Sequence, residues 1–307
     1  SKYQWCKLNR PMKIFDCFMY FDEETVLDLR LNFLDKYVDY FVIVESVFTH
    51  KGDKRELKFN HKKFEKFKNK IIYKVYNENE NNIEKIFDKD SEKTKSYKYI
   101  MNALKRENGQ RNYIQTGLNN ANANDIILIS DVDEMPNLSG IDFTKIKEKI
   151  FMFRQDMFYY KFNLKLPNMI WTGTKGCRKK YLLSPQWLRN VKDRKYSKLR
   201  FDILFSDKKY NSIKFIDDGG WHFTNLKSAK EIEHKLKSYL HHWEFDENPL
   251  TTDQIEEIIK NKQAIYDLTL DKRLNKIGSG NKLIKYEFEK LPEYLKKNKN
   301  KYEQWLD

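Results

Sequence analysis

Cysteine, proline and glycine are scarce in this sequence, with 3, 6 and 10 among 307 residues. Cys6, Cys17 and Cys177 form no CxxC pair and no even framework, which excludes a disulfide scaffold and makes a reducing compartment the simplest reading. A bridge to Cys6 stays open. No run approaches the roughly 20 apolar residues of a membrane-spanning helix, and no leader pattern opens the chain. A cytoplasmic protein is therefore expected, or a soluble piece of a longer one. Histidine is scarce too, at 6. His234, His241 and His242 fit no zinc-ligand spacing and have no cysteine nearby, so zinc is excluded. No internal repeat and no linker divides the chain. One domain is expected over 13–225, after an extension at 1–12, with a helical C-terminal extension at 226–307 packed on it.

What is present is charge and aromatic bulk. The chain has 59 basic against 45 acidic residues, a net +14, with 40% hydrophobic and 15% aromatic residues. That is globular composition, large enough to bury roughly 75% of the surface of the unfolded chain. The positive excess favours anionic partners such as nucleotides. Lys and Asn abound throughout, so much of that excess is compositional.

Apolar runs at Lys13–Phe18, Tyr40–Glu45, Ile71–Val75 and Ile126–Ser130 alternate with helical patterns at Thr25–Leu34 and Lys93–Asn120, the latter broken near Asn108-Gly109. Alternation of this kind predicts an α/β fold with a mostly parallel, Rossmann-like sheet flanked by helices. Ligands then bind at the carboxyl ends of the strands, where Asp16, Glu45 and Asp131 are expected. The second half reads as a long aromatic strand over Ile150–Leu166, a basic stretch over Ile170–Tyr181, a strand at Ile213–Phe215, and helices at Ser228–Trp243 and Asp253–Asp267. The Lys-rich tail from Leu291 reads as helical.

The most informative stretch is Ile126–Glu134, five residues of apolar strand ending in Asp131-Val132-Asp133-Glu134 before Met135-Pro136. In an extended backbone residues i and i+2 project to one side, so Asp131 and Asp133 are expected to stand side by side. Paired carboxylates suit Mg²⁺ or Mn²⁺ with positions left for a substrate diphosphate. His222 follows Asp217-Asp218-Gly219-Gly220-Trp221, and a neutral imidazole could complete such a site; packing in the core is the plain alternative. Arg106, Glu107, Gln110 and Arg111 lie a turn apart, as a fork on phosphate or an exposed helix face. Lys175, Arg178, Lys179 and Lys180 around Trp171 suit a diphosphate, an anionic acceptor or merely a basic loop. Tyr159, Tyr160, Trp171 and Trp221 could stack on sugars or fill the core.

Together these blocks resemble glycosyltransferase family 17, whose vertebrate members add the bisecting N-acetylglucosamine to N-glycans. The matching residues are Asp16-Cys17-Phe18, Glu23/Glu24 through Arg30-Leu31-Asn32, Val38–Glu45, Arg106-Glu107 with Gln110-Arg111, Asp131–Pro136 and Gly219–Phe223. They span about Lys13 to Leu291-Pro292. Met135 stands where the family usually has Ile, and the membrane anchor of the Golgi members is not in this sequence. The resemblance implies a GT-A type fold, a UDP-sugar donor (UDP-N-acetylglucosamine above all), a glycan or other hydroxyl acceptor, a divalent metal and inversion. Phe18, Glu45, Arg106, Arg111 and Asp131 would then bind donor; Asp131, Asp133 and His222 would hold Mn²⁺ or Mg²⁺. A carboxylate would deprotonate the acceptor, with Asp218 and Glu134 as candidates and Asp156 behind them. Two rivals remain at this stage. A haloacid-type phosphohydrolase also uses an Asp-x-Asp strand end, with Asp217-Asp218 as its later acids. A basic nucleic-acid binder would concentrate charge on one surface, for which only Arg178–Arg200 offers a start; nucleic acid is not the expected partner.

Overall fold

The computed structural model describes residues 11–78, 82–196, 203, 205–238, 249–266, 277 and 280–307. Cys6, His241, His242, Arg200, residues 1–10 of the expected extension, and the expected helix ends at Trp243 and Asp267 lie outside the described residues.

Four parallel strands come first: β1 (Ile14–Tyr20), β2 (Tyr40–Ser46), β3 (Ile71–Tyr76) and β4 (Ile126–Asp131), side by side in the order β3-β2-β1-β4. The apolar runs of β1, β2 and β4 are buried on both faces, as central parallel strands require, while β3 at the edge is half-buried. On β4, Ile126 and Leu128 belong to a core with Leu27 and Leu31 of helix α1 (Glu24–Leu34). Ile127 and Ile129 belong to a second core, with Ile114 and Leu118 of a 3-10 turn. This is the two-residue period of a strand filled from both sides.

The later strands are β5 (Glu134–Pro136), β6 (Ile150–Tyr159), β7 (Leu164–Arg178), β8 (Ile213–Ile216), β9 (Gly220–Thr224) and β10 (Ile284–Lys285). β7 joins β4 antiparallel, and the sheet continues β4-β7-β6-β9-β5 to ten strands, with β8 on β6 and β10 on β7. The remaining helices are α2 (Glu92–Asn112), α3 (Pro185–Asn190), α4 (Ala229–Ser238), α5 (Thr252–Lys260) and α6 (Glu293–Lys297). The architecture is the expected Rossmann-like α/β sheet with flanking helices. Among the described residues no helix is long and apolar enough to cross a membrane.

Three local expectations are corrected. α2 runs unbroken through Asn108-Gly109. A mid-helix glycine costs about 1 kcal/mol, and the turn it interrupts is held from outside: the Gln110 side chain donates to the Val44 carbonyl (3.1 Å), and Arg111 is anchored at the site. The stretch Ile150–Leu166 is two strands, because the chain reverses at Tyr160, whose φ is +62°. That left-handed residue is secured by burial and by its hydroxyl donating to the Gln263 carbonyl (2.9 Å). Asp16 lies within β1 rather than at its end.

Gly220 shapes the approach to the site. Its φ is +122°, and a Cβ there would lie 2.1 Å from the Met135 carbonyl oxygen. Only glycine lets β9 close on β5 at that point. The close pairing puts His222 opposite Glu134, with the Phe223 N–H donating to the Asp133 carbonyl (2.9 Å).

Candidate active site

β4 ends at Asp131, the chain turns through Val132-Asp133, and β5 begins at Glu134. The turn is gathered by one buried side chain. Arg30 on α1 donates from Nε and Nη2 to the two oxygens of Asp16 (2.8 and 2.7 Å). Its Nη1 donates to the carbonyls of Asp131 (3.3 Å), Val132 (3.1 Å) and Glu134 (2.6 Å). The guanidinium lies 4.7 Å from the centroid of the Phe18 ring. Nε and Nη2 meet the carboxylate as a fork, and the two N–H groups of Nη1 are shared among the three carbonyls. Phe18 and Asp16 are wholly buried beneath the turn.

The two aspartates expected side by side both line one cavity but have different partners. Asp131 faces arginines: Arg111 Nη2 on α2 donates to Oδ1 (3.1 Å) and Arg189 Nη2 on α3 to Oδ2 (3.2 Å). Desolvation opposes ionisation there, but Arg189 and Arg111 outweigh it and hold the carboxyl well below the usual range. Asp133 faces His222, with Nε2 3.4 Å from Oδ1. Burial alone would lower the imidazole's pKa; Asp133, with Glu134 and Asp131 beyond it, raises it instead. Nδ1 of His222 is buried with no hydrogen-bond partner, and the ring lies 5.2 Å from that of Trp171.

Glu134 is wholly buried and both its oxygens are engaged. Oε1 accepts from Trp171 Nε1 (2.8 Å) and Arg189 Nη2 (2.9 Å); Oε2 accepts from Arg189 Nη1 (2.7 Å) and the Asp131 N–H (2.9 Å). Arg189 is thus the hub, and it also donates to the Gly173 carbonyl (2.7 Å). α3 carries it, started by Ser184, whose hydroxyl accepts from the Trp187 N–H, with Pro185 in the first turn. Past α3, Lys175 donates to the carbonyls of Arg189 (2.6 Å) and Val191 (2.7 Å).

Beyond the carboxyl ends of β1 and β4 lies a cavity of about 220 Å³ lined by Tyr20, Phe21, Glu23, His50, Glu107, Arg111, Asp131, Asp133, His222 and Lys235 among others. Of the residues singled out in the sequence, Asp131, Asp133, His222, Arg111, Glu107 and Gln110 meet there. The others do not line it. Glu45 is buried, accepting from the N–H groups of Lys58 (2.6 Å) and Phe59 (3.1 Å), from Arg55 (3.0 Å) and from the Tyr73 hydroxyl (2.8 Å). Arg106 donates to the His50 carbonyl (3.0 Å) and props the turn at Gly52. Asp218, at φ +50°, lines a separate cavity of about 760 Å³ with Asp217, Asp156, Arg154, Trp221 and Tyr286. The haloacid arrangement needs those acids beside the strand-end pair, and they are not. Tyr159 and Tyr160 are core. Arg178 donates to the carbonyls of Phe143 (3.2 Å) and Ile146 (2.9 Å), so this cation, like Lys175, serves the fold.

Four cavity or network residues had no role assigned in the sequence: Arg189, Glu23, His50 and Lys235. Arg189 stands 58 residues beyond Asp131 in a stretch crowded with cations. Only the Ser184-Pro185 helix start marks it out. Among the described residues no three His, Cys, Asp or Glu side chains are arranged to hold a metal ion as they stand. Of the three residues expected to hold one, Asp133 and His222 face each other, and Asp131 accepts from two arginines.

The family model described as Glycosyltransferase family 17 matches residues 1–307. A search of curated proteins found no match.

Proposed function

The chain belongs to glycosyltransferase family 17, and from that premise we propose that it transfers a sugar, N-acetylglucosamine above all, from a UDP-sugar to a hydroxyl of a glycan in one inverting displacement on a GT-A type scaffold. The observation that carries this reading is the shared cavity: an acid–imidazole pair, Asp133 and His222, with Asp131 and Arg111 beside it, at the carboxyl end of parallel strands. Asp133 and His222 would hold Mn²⁺ or Mg²⁺, an ion that commonly takes one or two protein groups and fills its shell with water and phosphate oxygens. Such an ion offsets charge developing on the departing diphosphate.

The chain's own groups supply the rest. Arg111 is the guanidinium a diphosphate in the cavity would meet, and it would compete with Asp131 for it. Arg30 holds the turn that carries Asp131 and Asp133. Tyr20 and Phe21 provide an apolar wall. Glu134, bound on both oxygens, positions Arg189 and Trp171.

The test is calorimetry of UDP with and without Mn²⁺, followed by UDP release across a panel of UDP-sugars. UDP binding that needs Mn²⁺, with release fastest from UDP-N-acetylglucosamine, supports the reading. UDP binding that ignores Mn²⁺ removes the metal, and no binding of UDP removes the donor class.

A further inference from the structure

Resting on that reading of the cavity, we infer that Glu23 is the general base that takes the proton from the acceptor hydroxyl. Glu23 stands just past the end of β1, next to the strand that carries Asp131; Met19 and Asp131 are register partners across the two strands. Its Oε2 accepts from the N–H groups of Phe21 (3.2 Å) and Asp22 (3.1 Å), which fixes the side chain on its own turn. Its Oε1 accepts no hydrogen bond among the described residues, and the side chain lines the cavity.

The other carboxylates are committed elsewhere. Asp131 pairs with two arginines, Asp133 with His222 and Glu107 with Arg111 (2.8 Å). Glu134 has no oxygen free, and Asp218 and Asp156 line the other cavity. Among the described residues, Glu23 is therefore the cavity's carboxylate with no arginine or histidine partner.

Its surroundings suit a base. Desolvation raises its pKa, Lys227 and Lys235 from the segment after β9 pull it back, and Asp22 beside it pushes up again. Tyr20 is the remaining titratable neighbour, and its own pKa is raised by burial and by Glu23. In the step itself, the acceptor O–H gives its proton to Glu23 Oε1 and the oxygen's electron pair forms the bond to the anomeric carbon. The bond from that carbon to the phosphate oxygen breaks, and its electron pair leaves with UDP. Glu23 then returns the proton to solvent.

The experiment compares the full chain with Glu23→Gln and Glu23→Ala, using UDP-N-acetylglucosamine, Mn²⁺ and water as acceptor, and reading UDP release from acid to neutral pH. UDP affinity is expected unchanged in both variants, and melting temperature unchanged in Glu23→Gln, which keeps an oxygen for the Phe21 and Asp22 N–H groups. Turnover is expected to fall by roughly 10²–10⁴-fold, and the rise of rate with pH should vanish. Azide, a nucleophile with no proton to lose, should restore UDP release in Glu23→Ala with formation of the glycosyl azide. Wild-type turnover in Glu23→Gln overturns the base while leaving the donor reading intact. So does a loss that azide does not restore, or one that tracks lost UDP affinity. Failure of the unaltered chain to bind UDP overturns the donor reading and the base with it.

Discussion

At Asp133 a carboxylate meets an imidazole, whereas two residues earlier Asp131 meets two guanidiniums. An oxygen already shared with an arginine is a poor ligand, so the two acids should fail differently when neutralised. Asp133→Asn should weaken UDP binding in Mn²⁺ by at least about 10–100-fold, the loss typical even of outer metal partners, and leave binding without metal unchanged. Urea stability should move by no more than about 0.5 kcal/mol; calorimetry and a denaturation curve check both. Lys175 offers a prediction of another kind. Burial first, then Arg189, push its pKa down to about 8. Its folded value lies below the unfolded 10.5, so between these values the unfolded chain binds more protons and stability rises with pH. That rise should be larger in the unaltered chain than in Lys175→Met when urea midpoints at pH 7.5 and 9.5 are compared.

At the scale of elements, the device that matters is the clamp from α1 to the turn after β4. Arg30→Met leaves Asp16 as an uncompensated buried charge, which costs about 3–5 kcal/mol. Asp16→Leu combined with Arg30→Met removes both charges and should recover much of that stability. It should not recover UDP affinity, because the carbonyls of Asp131, Val132 and Glu134 still lose their donor. Urea denaturation beside UDP calorimetry separates the two effects; full UDP affinity in the double variant would deny the clamp its role. The same elements show what a sequence discloses. β4 and its acids were legible because a continuous apolar run ends abruptly in Asp-x-Asp. That the two acids take different partners was not, since Arg189 and His222 come from segments far along the chain. α2 was misjudged because Asn108-Gly109 weakens a helix locally while Gln110 and Arg111 anchor it from outside. Arg189 was missed for a related reason: only the Ser184-Pro185 helix start sets it apart from other cations, and its carboxylate partners lie on β4 and β5. Glu23 was seen within a family block, yet only the fold sets it facing the cavity with an oxygen to spare.

For the whole molecule, the question is whether the last segment is an appendage or part of the core. The chain's end is laced to the β6–β7 hairpin. The Phe162 N–H donates to the Trp305 carbonyl (2.8 Å), and Asn163 exchanges hydrogen bonds with Asp307 (3.1 and 2.8 Å). Leu291, Leu295 and Tyr302 are buried in the core that also holds Leu27 and Leu31 of α1. The Tyr302 hydroxyl donates to Asp28, and Lys301 pairs with the same carboxylate (2.6 Å). α1 is the helix that carries Arg30, so the tail supports the site through it. Burying a large apolar side chain is worth about 1.5–3 kcal/mol, so the three together contribute about 5–9 kcal/mol, against a usual total of about 5–15 kcal/mol. Deleting residues 291–307 should therefore abolish cooperative unfolding rather than lower its midpoint slightly. Milder variants make the argument testable where the deletion does not fold. Leu295→Ala should cost about 2–5 kcal/mol, and Tyr302→Phe about 1–3 kcal/mol, since Asp28 loses a buried donor. Both should keep UDP affinity at temperatures where they remain folded. A truncated chain that melts cooperatively near the full-length midpoint would make the tail an appendage and detach it from the support of Arg30.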